Sequence, residues 1–435
     1  MKNATLKLAL AILVLFCYSC EKQEFFKPED QQFTNGIIIF VGKDIDSFAV
    51  ESDEKNRRDK IKKFADTKLE GLKLNDEEVH LAEDVAWFFA KKLKPEQLDA
   101  VKKASKGEVA EYYPNYELDL HGRKPMMQGS PLPQGRKPMM QEDWRYNTTS
   151  YASDFVLWLG GGDASSPDPI PSDRKVWIVD TGIDGSHQDL RASIDVSMGF
   201  DATGSGNPYH DDNGHGTMVA GIIGATAYNQ QPGGNPEDIG INGIHTGAEL
   251  ISVKISQADG TVRLNDFVRG LDYIIQNASA KDVVNISLGK EIKNNCNWGQ
   301  IGNKIAELVR KGIYVVFSAG NETELNSTNF PSCLADGIQS LSVGSMTMYC
   351  PGSSEVLVYS SFSNYGEAAG KPIWLAPGEQ IFSTYKGNQY ALASGTSFSA
   401  AMMSGIIYKL QRLPNERKFI LRGGEDPSYP VAQVD

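Results

Sequence analysis

Three short segments of the chain carry an acid, a base and a nucleophile, each beside glycine. They are Val179–Gly182 with Asp180, Asn213–Thr217 with His215, and Ser394–Ser399 with Ser397. A serine hydroxyl attacks a carbonyl group only when a base lies within hydrogen-bond reach and a further group orients that base. His215 can accept the proton, and Asp180 can hold the imidazole in one tautomer and stabilise its charged form. These residue types predict acyl transfer through a covalent serine intermediate.

Strand-like and helix-like patterns alternate from Trp144 to Asp435. The predicted strands are Lys175–Val179, Leu250–Ile255, Val283–Ser287, Ile313–Ser318 and Ser340–Val343, and the predicted helices are His215–Ala227, Leu264–Asn277 and Ile301–Lys311. This alternation predicts an α/β fold with a mostly parallel sheet and helices on both faces. Ser397 would then begin a helix, where free N–H groups favour negative charge. The tail from Leu413 is expected to be a short element or frayed.

Length and charge limit the classes of protein that need to be considered. A chain of 435 residues can hold two or three domains. Its net charge of −12 argues against nucleic acid as the main partner, because phosphate binding requires an excess of Lys and Arg. Three cysteines remain after the N-terminal segment, namely Cys296, Cys333 and Cys350. Export would permit a disulfide, and the pairing stays open.

The N-terminus has the pattern of a secretory signal, residues 1–20. Lys2 and Lys7 come before the apolar run Leu8–Cys17, which is shorter than the roughly 20 residues of a membrane-spanning helix. Ser19 followed by Cys20 resembles a bacterial lipoprotein signal, with Cys20 as the lipidated residue. We therefore expect an exported protein, attached through Cys20 to the cell surface or outer membrane. The alternative is an ordinary signal that yields a secreted product.

The segment between the signal and Trp144 divides into three parts. Residues 21–35 are polar and predict a tether, and residues 36–116 mix strand and helix patterns and predict a small α+β domain. Residues 117–143 form a predicted linker in which Gly122–Gln128 recurs as Gly135–Gln141. Linkers of this composition are readily cut. The repeat is interpreted either as a maturation site in one or both copies or as a duplication in unconstrained sequence.

The order Asp, His, Ser and the glycine-rich flanks resemble the subtilisin-like serine proteases. Other phrases typical of that family are His187–Leu190, Ser361–Gly366 and Ala376–Gly378. The resemblance covers residues 36–115 and 144–413. It implies that residues 36–116 are an inhibitory pro-domain and that residues 144–435 are a catalytic domain. The implied activity is that of a serine endopeptidase acting on proteins or peptides, made as a precursor that its own pro-domain inhibits.

The resemblance also implies roles for further residues. Asn321, within Ser318–Glu322, corresponds to the oxyanion donor, with the backbone N–H of Ser397 as its partner. Two segments, Asn285–Gly289 and Ser256–Gly260, correspond to the walls that pair with an extended substrate. The candidate substrate-binding residues are Ser287, Leu288, Gly289, Gly260 and Gly320. Glu322 is a candidate for lining the first specificity pocket and favouring basic side chains.

No cofactor is expected for catalysis. Many relatives hold structural calcium, so calcium stays open as a structural ion in this chain. The acidic segment Asp211–Asn213 lacks the spacing of an EF-hand. We interpret it as a solvated loop in preference to a set of calcium ligands.

The chain also departs from the family pattern. Ala401 and Met402 replace a usual Pro and His, Met218 replaces a frequent His, and Lys290 replaces a common glycine. These departures keep one alternative open, a catalytically impaired surface protein that uses the fold for binding. A serine esterase or amidase is a second alternative. It would more often have a Gly-x-Ser-x-Gly turn, whereas Ser399 occupies the final position here.

Overall fold

The computed structural model describes parts of the N-terminal third and most of the remaining chain. Described are residues 37–41, 59, 79–81, 86–90, 111–114, 117–120, 154–162 and 173–432, the last range without 229–239, 257–259, 292–295, 297–298, 350–355, 415–417 and 423–424. The predicted signal, tether and linker repeat lie outside the described residues. No helix among the described residues combines the length and apolar character that crossing a bilayer requires.

The described elements are numbered in chain order. The helices are α1 Asp154–Trp158, α2 His215–Gly224, α3 Leu264–Asn277, α4 Gly299–Arg310 and α5 Thr396–Leu410. The strands of the first half are β1 Ile37–Val41, β2 Val79–Leu81, β3 Ala86–Ala90, β4 Glu111–Pro114, β5 Glu117–Leu120, β6 Val176–Asp180, β7 Phe200–Asp201, β8 Leu250–Lys254, β9 Val262–Arg263, β10 Val283–Ile286 and β11 Leu288–Glu291. The later strands are β12 Tyr314–Ser318, β13 Asn329–Phe330, β14 Ser340–Tyr349, β15 Val356–Tyr359, β16 Glu367–Ala368, β17 Lys371–Pro372, β18 Trp374–Pro377, β19 Ile381–Tyr385, β20 Gln389–Ala393, β21 Lys418–Arg422 and β22 Glu425–Val431.

A large, mostly parallel sheet forms the centre of the molecule. Its described strands follow the order β21-β22-β18-β14-β12-β10-β6-β8-β7, with β15 also paired to β14. Only the pairs that β15 and β21 make are antiparallel. Parallel strands of this kind are buried on both faces and read as continuous apolar runs. Every residue of β6 is buried, as this rule requires.

Helices cover both faces of that sheet. Trp177 and Val179 of β6 belong to one apolar cluster, with residues of α3 and α4, while Val176 and Ile178 belong to a second, with residues of α2 and α5. Successive side chains of a strand point to opposite faces, which explains this division. The predicted α/β fold class is confirmed.

The predicted strands and helices of the large sheet match the described elements closely. The helix predicted at Leu264–Asn277 has the same bounds as α3, and the strand predicted at Leu250–Ile255 corresponds to β8. The tail beyond Leu413 contains β21 and β22, and β22 adds to the sheet beside β18. The hairpin of β19 and β20 and the short antiparallel strands were not predicted.

Two smaller sheets involve the segment that precedes the large domain. Strands β1 to β4 form an antiparallel sheet in the order β2-β3-β1-β4, and β1 coincides with the apolar run Ile37–Val41. Strand β5 joins a different sheet, in the order β13-β11-β5-β9. Residues 117–120, assigned from sequence to the start of the linker, therefore form a strand between two segments of the large domain.

A disulfide joins Cys296 to Cys333, with 5.9 Å between their Cα atoms. Cys296 follows β11, and Cys333 lies in the turn after β13. Because β11 and β13 are paired, the disulfide reinforces a contact that backbone hydrogen bonds already make. The sequence had left this pairing open.

Two neighbouring buried groups, His187 and Asp189, make hydrogen bonds that stabilise the loop after β6. The imidazole of His187 accepts a hydrogen bond from the Asp189 backbone N–H (3.2 Å) on Nδ1, so Nε2 carries the proton and donates to the Gln389 carbonyl (2.9 Å). Burial lowers the pKa of His187 to about 4. Burial raises the pKa of Asp189 to about 6, although Tyr390 and backbone N–H groups donate to its carboxylate.

These shifts predict opposing effects on acid stability. Neutral His187 stabilises the folded state above pH 6.5, and this contribution is lost as the pH falls toward 4. For a pKa shift of this size, the free energy of unfolding falls by about 3 kcal/mol over that range. Asp189 acts in the opposite direction, because its carboxylate is more easily protonated in the folded chain than in the unfolded chain. In a Ser397→Ala background, His187→Gln should therefore lose less stability than its parent between pH 7 and 4.

Urea unfolding at several pH values would measure this difference. Asp189→Asn is the matched control. Between pH 7 and 4 its free energy of unfolding should fall more than that of the parent, whereas that of His187→Gln should fall less. Parallel pH dependences for all three proteins would contradict the prediction.

Candidate active site

Asp180 and His215 meet at the end of the central strand β6. Asp180 is the last residue of β6, and His215 is the first residue of α2. The Nδ1 atom of His215 lies 2.8 Å from Oδ1 of Asp180, and both side chains are almost completely buried. The backbone N–H of Thr181 also donates to Oδ1 (2.8 Å). The carboxylate can therefore hold the imidazole in the tautomer that leaves Nε2 able to accept a proton.

Glycine after His215 allows this close approach. A side chain at Gly216 would overlap the Gly182 carbonyl oxygen and would touch the Asp180 side chain. Gly214, just before the helix, has φ +105°, a conformation that glycine adopts without strain, and a side chain there would overlap Tyr385. Gly216 therefore sets how near α2 comes to β6, and Gly214 leaves room for Tyr385.

The electrostatic surroundings favour the charged form of His215. Burial alone would lower the pKa of His215, but the charge and hydrogen bond of Asp180, with the charge of Asp211, outweigh it and raise the pKa. An imidazolium formed during catalysis is thus stabilised where it forms. Nε2 has no hydrogen-bond partner among the described atoms.

Asp211 organises the loop before His215. Its Oδ1 accepts from the Thr181 hydroxyl (2.8 Å) and from the backbone N–H groups of Asn213 (3.0 Å) and Gly214 (2.7 Å). Its Oδ2 accepts from the backbone N–H (3.0 Å) and hydroxyl (2.6 Å) of Thr217. Asp211 is only 4% exposed, so the interpretation as a solvated loop was wrong for this residue.

The same contacts decide whether Asp211 could be a calcium ligand. Both oxygens of Asp211 are occupied by protein donors, so this carboxylate does not fit a calcium ligand. Among the described residues, no group of three or more His, Cys, Asp or Glu side chains is arranged to hold a metal ion. No capping pattern could have identified Asp211, because the N-cap of α2 is Gly214 and Asp211 lies three residues before it.

Ser397 is the second residue of α5 and is completely buried. Its hydroxyl donates to the Ser287 carbonyl (3.3 Å). The Ser287 hydroxyl donates in turn to the Ser397 carbonyl (3.3 Å), and Asn285 donates to the Ser287 hydroxyl (2.8 Å). These bonds attach the start of α5 to the end of β10.

The imidazole and the nucleophile belong to one site. The ring of His215 lies 5.8 Å, centroid to centroid, from that of Phe398, the residue after Ser397. The described hydrogen bonds do not join Ser397 to Nε2, because the hydroxyl is directed to Ser287. Catalytic hydrogen bonds are often incomplete without substrate.

Asn321 lies beside the start of α5. Its Oδ1 accepts from the backbone N–H of Thr396 (2.9 Å), and the Thr396 hydroxyl accepts from the backbone N–H of Gly320 (3.1 Å). Through this bond Asn321 is attached to the residue that directly precedes Ser397. Thr396, which sequence reasoning did not single out, is thus the link between the two candidate oxyanion donors.

The two predicted walls border the same site. Ser287, Leu288 and Gly289 continue from β10 into β11, next to Ser397. Gly260 lies on the opposite side, with φ +88°, and a Cβ there would be 3.1 Å from the side-chain nitrogen of Asn213. Strand β5 pairs on one side with β11, which holds Leu288 and Gly289 of the first wall, and on the other with β9, which follows the second wall.

Gly320 and Glu322 border a cluster of side-chain amides. Asn364 (2.8 Å) and Asn329 (3.4 Å) both donate to the Glu322 carboxylate, and each also donates to the Ala319 carbonyl. A side chain at Gly320 would overlap these groups. The carboxylate proposed to favour basic side chains is therefore already held by two protein donors.

The departures from the family pattern have different surroundings. Ala401, Met402 and Met218 are completely buried in the apolar cluster of α2 and α5, so their role is packing. Lys290 is exposed on β11, outside the contacts of Asp180, His215 and Ser397. None of these four side chains contributes a proton donor or acceptor to the site.

The site combines an acid at the end of a central parallel strand with a base and a candidate nucleophile at two helix starts. A side-chain amide lies beside the candidate nucleophile. Together these features define the class of site. Residues 172–419, more than half of the chain, match the subtilase family. The chain belongs to the subtilase family.

Three relatives illustrate the extent of the similarity. The minor extracellular protease Epr of Bacillus subtilis (strain 168) is 30% identical over 249 residues, which cover 57% of this chain and 34% of Epr. Subtilisin E of the same strain is 31% identical over 234 residues, 54% of each chain. Subtilisin of Bacillus pumilus is 30% identical over 234 residues, 54% of this chain and 75% of that protein. The chain thus spans about half of subtilisin E and a third of Epr.

The contacts of Asp211 yield a prediction. Asp211→Asn keeps the size of the side chain but loses an acceptor for the start of α2, and we expect a loss of about 1–3 kcal/mol in the free energy of unfolding. Removing the negative charge also lowers the pKa of His215, so the acidic fall in kcat/KM should move to lower pH. Thermal unfolding and a pH–rate profile on a peptide substrate would measure both effects.

Asp212→Asn is the matched control, because this neighbouring carboxylate is 36% exposed and pairs with Lys254. It should leave the pH–rate profile unchanged. An unaltered acidic limb in Asp211→Asn would contradict the role assigned to Asp211.

Proposed function

We propose that this protein is a serine endopeptidase that hydrolyses peptide bonds in proteins, made as a precursor that inhibits itself. The observation that carries the proposal is the buried hydrogen bond between Asp180 and His215, in the same site as Ser397 and Asn321. Membership of the subtilase family supports the same activity. Sequence similarity to extracellular proteases supports secretion.

The proposed reaction begins with attack by Ser397 Oγ on the substrate carbonyl carbon. His215 Nε2 takes the hydroxyl proton, and Asp180 stabilises the imidazolium through Nδ1. The side-chain amide of Asn321 and the backbone N–H of Ser397 stabilise the oxyanion. His215 gives the proton to the leaving amine, and water then hydrolyses the acyl-enzyme. None of these steps uses a cofactor.

The two walls favour extended peptides over small esters as substrates. Extended chains add to exposed strands through backbone hydrogen bonds, and the walls offer such strands on both sides of the site. Strand β5 supports the proposal that the pro-domain is the inhibitor, because it pairs with Leu288 and Gly289 of the first wall and with β9, which follows the second wall. A substrate could not pair with Leu288 and Gly289 while β5 does.

A catalytically impaired binding protein is the second candidate. The observation that favours it is the direction of the Ser397 hydroxyl, which donates to Ser287 and not to His215. The two candidates differ in reactivity toward a fluorophosphonate, which labels a serine whose hydroxyl is activated by a base.

Variants at Ser397 and Asn321 test the proposed activity. Ser397→Ala should abolish labelling and lower peptide hydrolysis by about 10⁴-fold or more. Asn321→Ala should keep the labelled serine but lower kcat by about 10²- to 10³-fold, because one oxyanion donor is lost. Hydrolysis of a fluorogenic peptide library by the matured protein would measure both. A folded, matured protein that neither reacts with the probe nor cuts any peptide would favour the binding protein.

We also propose that the protein is exported and attached to the membrane through a lipid on Cys20. The support is the sequence of residues 1–20, with basic residues, a short apolar run and a serine before the cysteine. Cys20→Ser should move the protein from the membrane fraction to the soluble fraction of its bacterial host, and labelled fatty acid should no longer be incorporated. Cys17→Ser is the control. Equal fractionation of the two variants would support an ordinary secretory signal.

A further inference from the structure

A chain of contacts leads from the C-terminal strand β22 toward the candidate active site. Tyr429 of β22 is only 2% exposed. Its hydroxyl accepts a hydrogen bond from the backbone N–H of Gly366 (2.9 Å), and its ring lies beside that of Tyr359, with 5.2 Å between the centroids. Tyr359 ends β15, and the loop of residues 360–365 runs from it to Gly366. Tyr429 therefore contacts the residues at both ends of this loop.

Asn364, inside this loop, is buried and attached on two sides. The hydroxyls of Tyr359 (2.5 Å) and Ser363 (2.9 Å) donate to its carbonyl oxygen. Its own backbone N–H donates to the carbonyl of Gly320 (2.9 Å), which directly precedes Asn321. The loop is therefore bonded to the segment that holds the candidate oxyanion donor.

The side chain of Asn364 bonds to both sides of Asn321. Its amide nitrogen donates to the carbonyl of Ala319 (2.9 Å) and to the carboxylate of Glu322 (2.8 Å). Its amide oxygen accepts from the backbone N–H groups of Glu322 (3.1 Å) and Glu324 (2.8 Å). The backbone before and after Asn321 is thus held by a single side chain.

We infer that Tyr429 is a positioning residue for Asn321. It acts through the hydroxyl of Tyr359 and the side chain of Asn364. An oxyanion donor stabilises the transition state only when it lies at hydrogen-bond distance from the place where the negative charge develops. A displacement of about 1 Å can lower the rate by about a hundredfold. The inference rests on the proposed function, in which Asn321 is that donor.

The strand that carries Tyr429 is itself anchored in the large sheet. Val431 pairs with Leu375 of β18, and the backbone N–H of Ala432 donates to the Leu375 carbonyl (3.0 Å). Val431 and Ala432 are completely buried. Tyr429 lies beyond residues 172–419, the part of the chain that matches the subtilase family. Its contacts thus connect the segment of the oxyanion donor to the sheet through a strand outside that match.

The test begins with Tyr429→Phe, which keeps the ring but removes the hydroxyl. The buried N–H of Gly366 then loses that acceptor, which favours a shift of the loop. We expect kcat on a fluorogenic peptide to fall about tenfold, because Asn321 is displaced. KM should change by less than about twofold, because the oxyanion forms only in the transition state.

Titration with a fluorophosphonate counts the matured molecules whose serine is active in each sample. Dividing the rate of hydrolysis by this count gives kcat for the active molecules alone. A loss of folded protein would lower the count but not this kcat. An unchanged kcat in Tyr429→Phe would therefore overturn the inference, even if the variant were less stable.

Tyr408→Phe is the matched control. Tyr408 is completely buried, and its hydroxyl also accepts a backbone N–H, that of Glu249 (3.3 Å). Glu249 directly precedes β8, so this bond lies at the opposite edge of the parallel sheet from Asp180, the last residue of β6. The control should leave kcat unchanged. Equal losses of kcat in Tyr408→Phe and Tyr429→Phe would contradict a specific role for Tyr429.

A double variant shows whether Tyr429 acts through Asn321. In an Asn321→Ala background the donor is already absent, so Tyr429→Phe should lower kcat further by less than about twofold. Two residues that act independently would instead show the same loss in both backgrounds. That result would overturn the inference.

Tyr359→Phe provides a second route to the same answer if Tyr429→Phe does not fold. It removes one donor to the Asn364 carbonyl and leaves the donor from Ser363 in place. We expect kcat to fall with little change in KM, and the loss should again be smaller in the Asn321→Ala background. An unchanged kcat in Tyr359→Phe would break the proposed chain of contacts.

The outcomes for this inference and for the proposed function are distinguishable. Peptide hydrolysis by wild type, with the same kcat in Tyr429→Phe, overturns the inference and leaves the proposed function standing. If wild type neither reacts with the probe nor cuts any peptide, the proposed function fails, and the inference fails with it.

Discussion

The buried hydrogen bond between Asp180 and His215 is the constraint on which the rest of the site depends. A carboxylate removed from water is costly unless partners compensate it, and here an imidazole and a backbone N–H do so. That compensation works only if α2 lies against β6, which requires glycine at position 216. The geometry of catalysis is thus set by a packing contact between a helix and a strand.

The same constraint explains why so many polar groups surround the start of α2. The first N–H groups of a helix have no hydrogen-bond acceptor within the helix, and at a buried helix start water cannot supply one. Asp211 supplies acceptors to this end of α2, and Thr384 and Ser383 of β19 donate to carbonyls within its first turn. Each of these bonds restricts the helix and therefore also the position of the imidazole.

Sequence predicted the central features because they depend on local patterns. Apolar runs identified the strands of the parallel sheet, and Asp180, His215 and Ser397 stood out through their glycine neighbours. The prediction for Asp211 was wrong because two acidic residues and an asparagine in a row are typical of a solvated loop. The buried position of Asp211 depends on hydrogen bonds from Thr181, which is distant in the chain, and from Thr217, which no motif marks. Strand β5 was assigned to the linker, and local sequence could not correct this because its partners β9 and β11 lie more than a hundred residues away.

Strand β5 also shows how the edges of β9 and β11 find partners within the chain. Unpaired strand edges expose backbone N–H and C=O groups and attract any extended chain. At these two edges, the extended segment with the highest effective concentration belongs to the same molecule. Under the proposed function, a peptide substrate needs the edge of β11 that β5 covers, so β5 and a substrate would exclude each other from it.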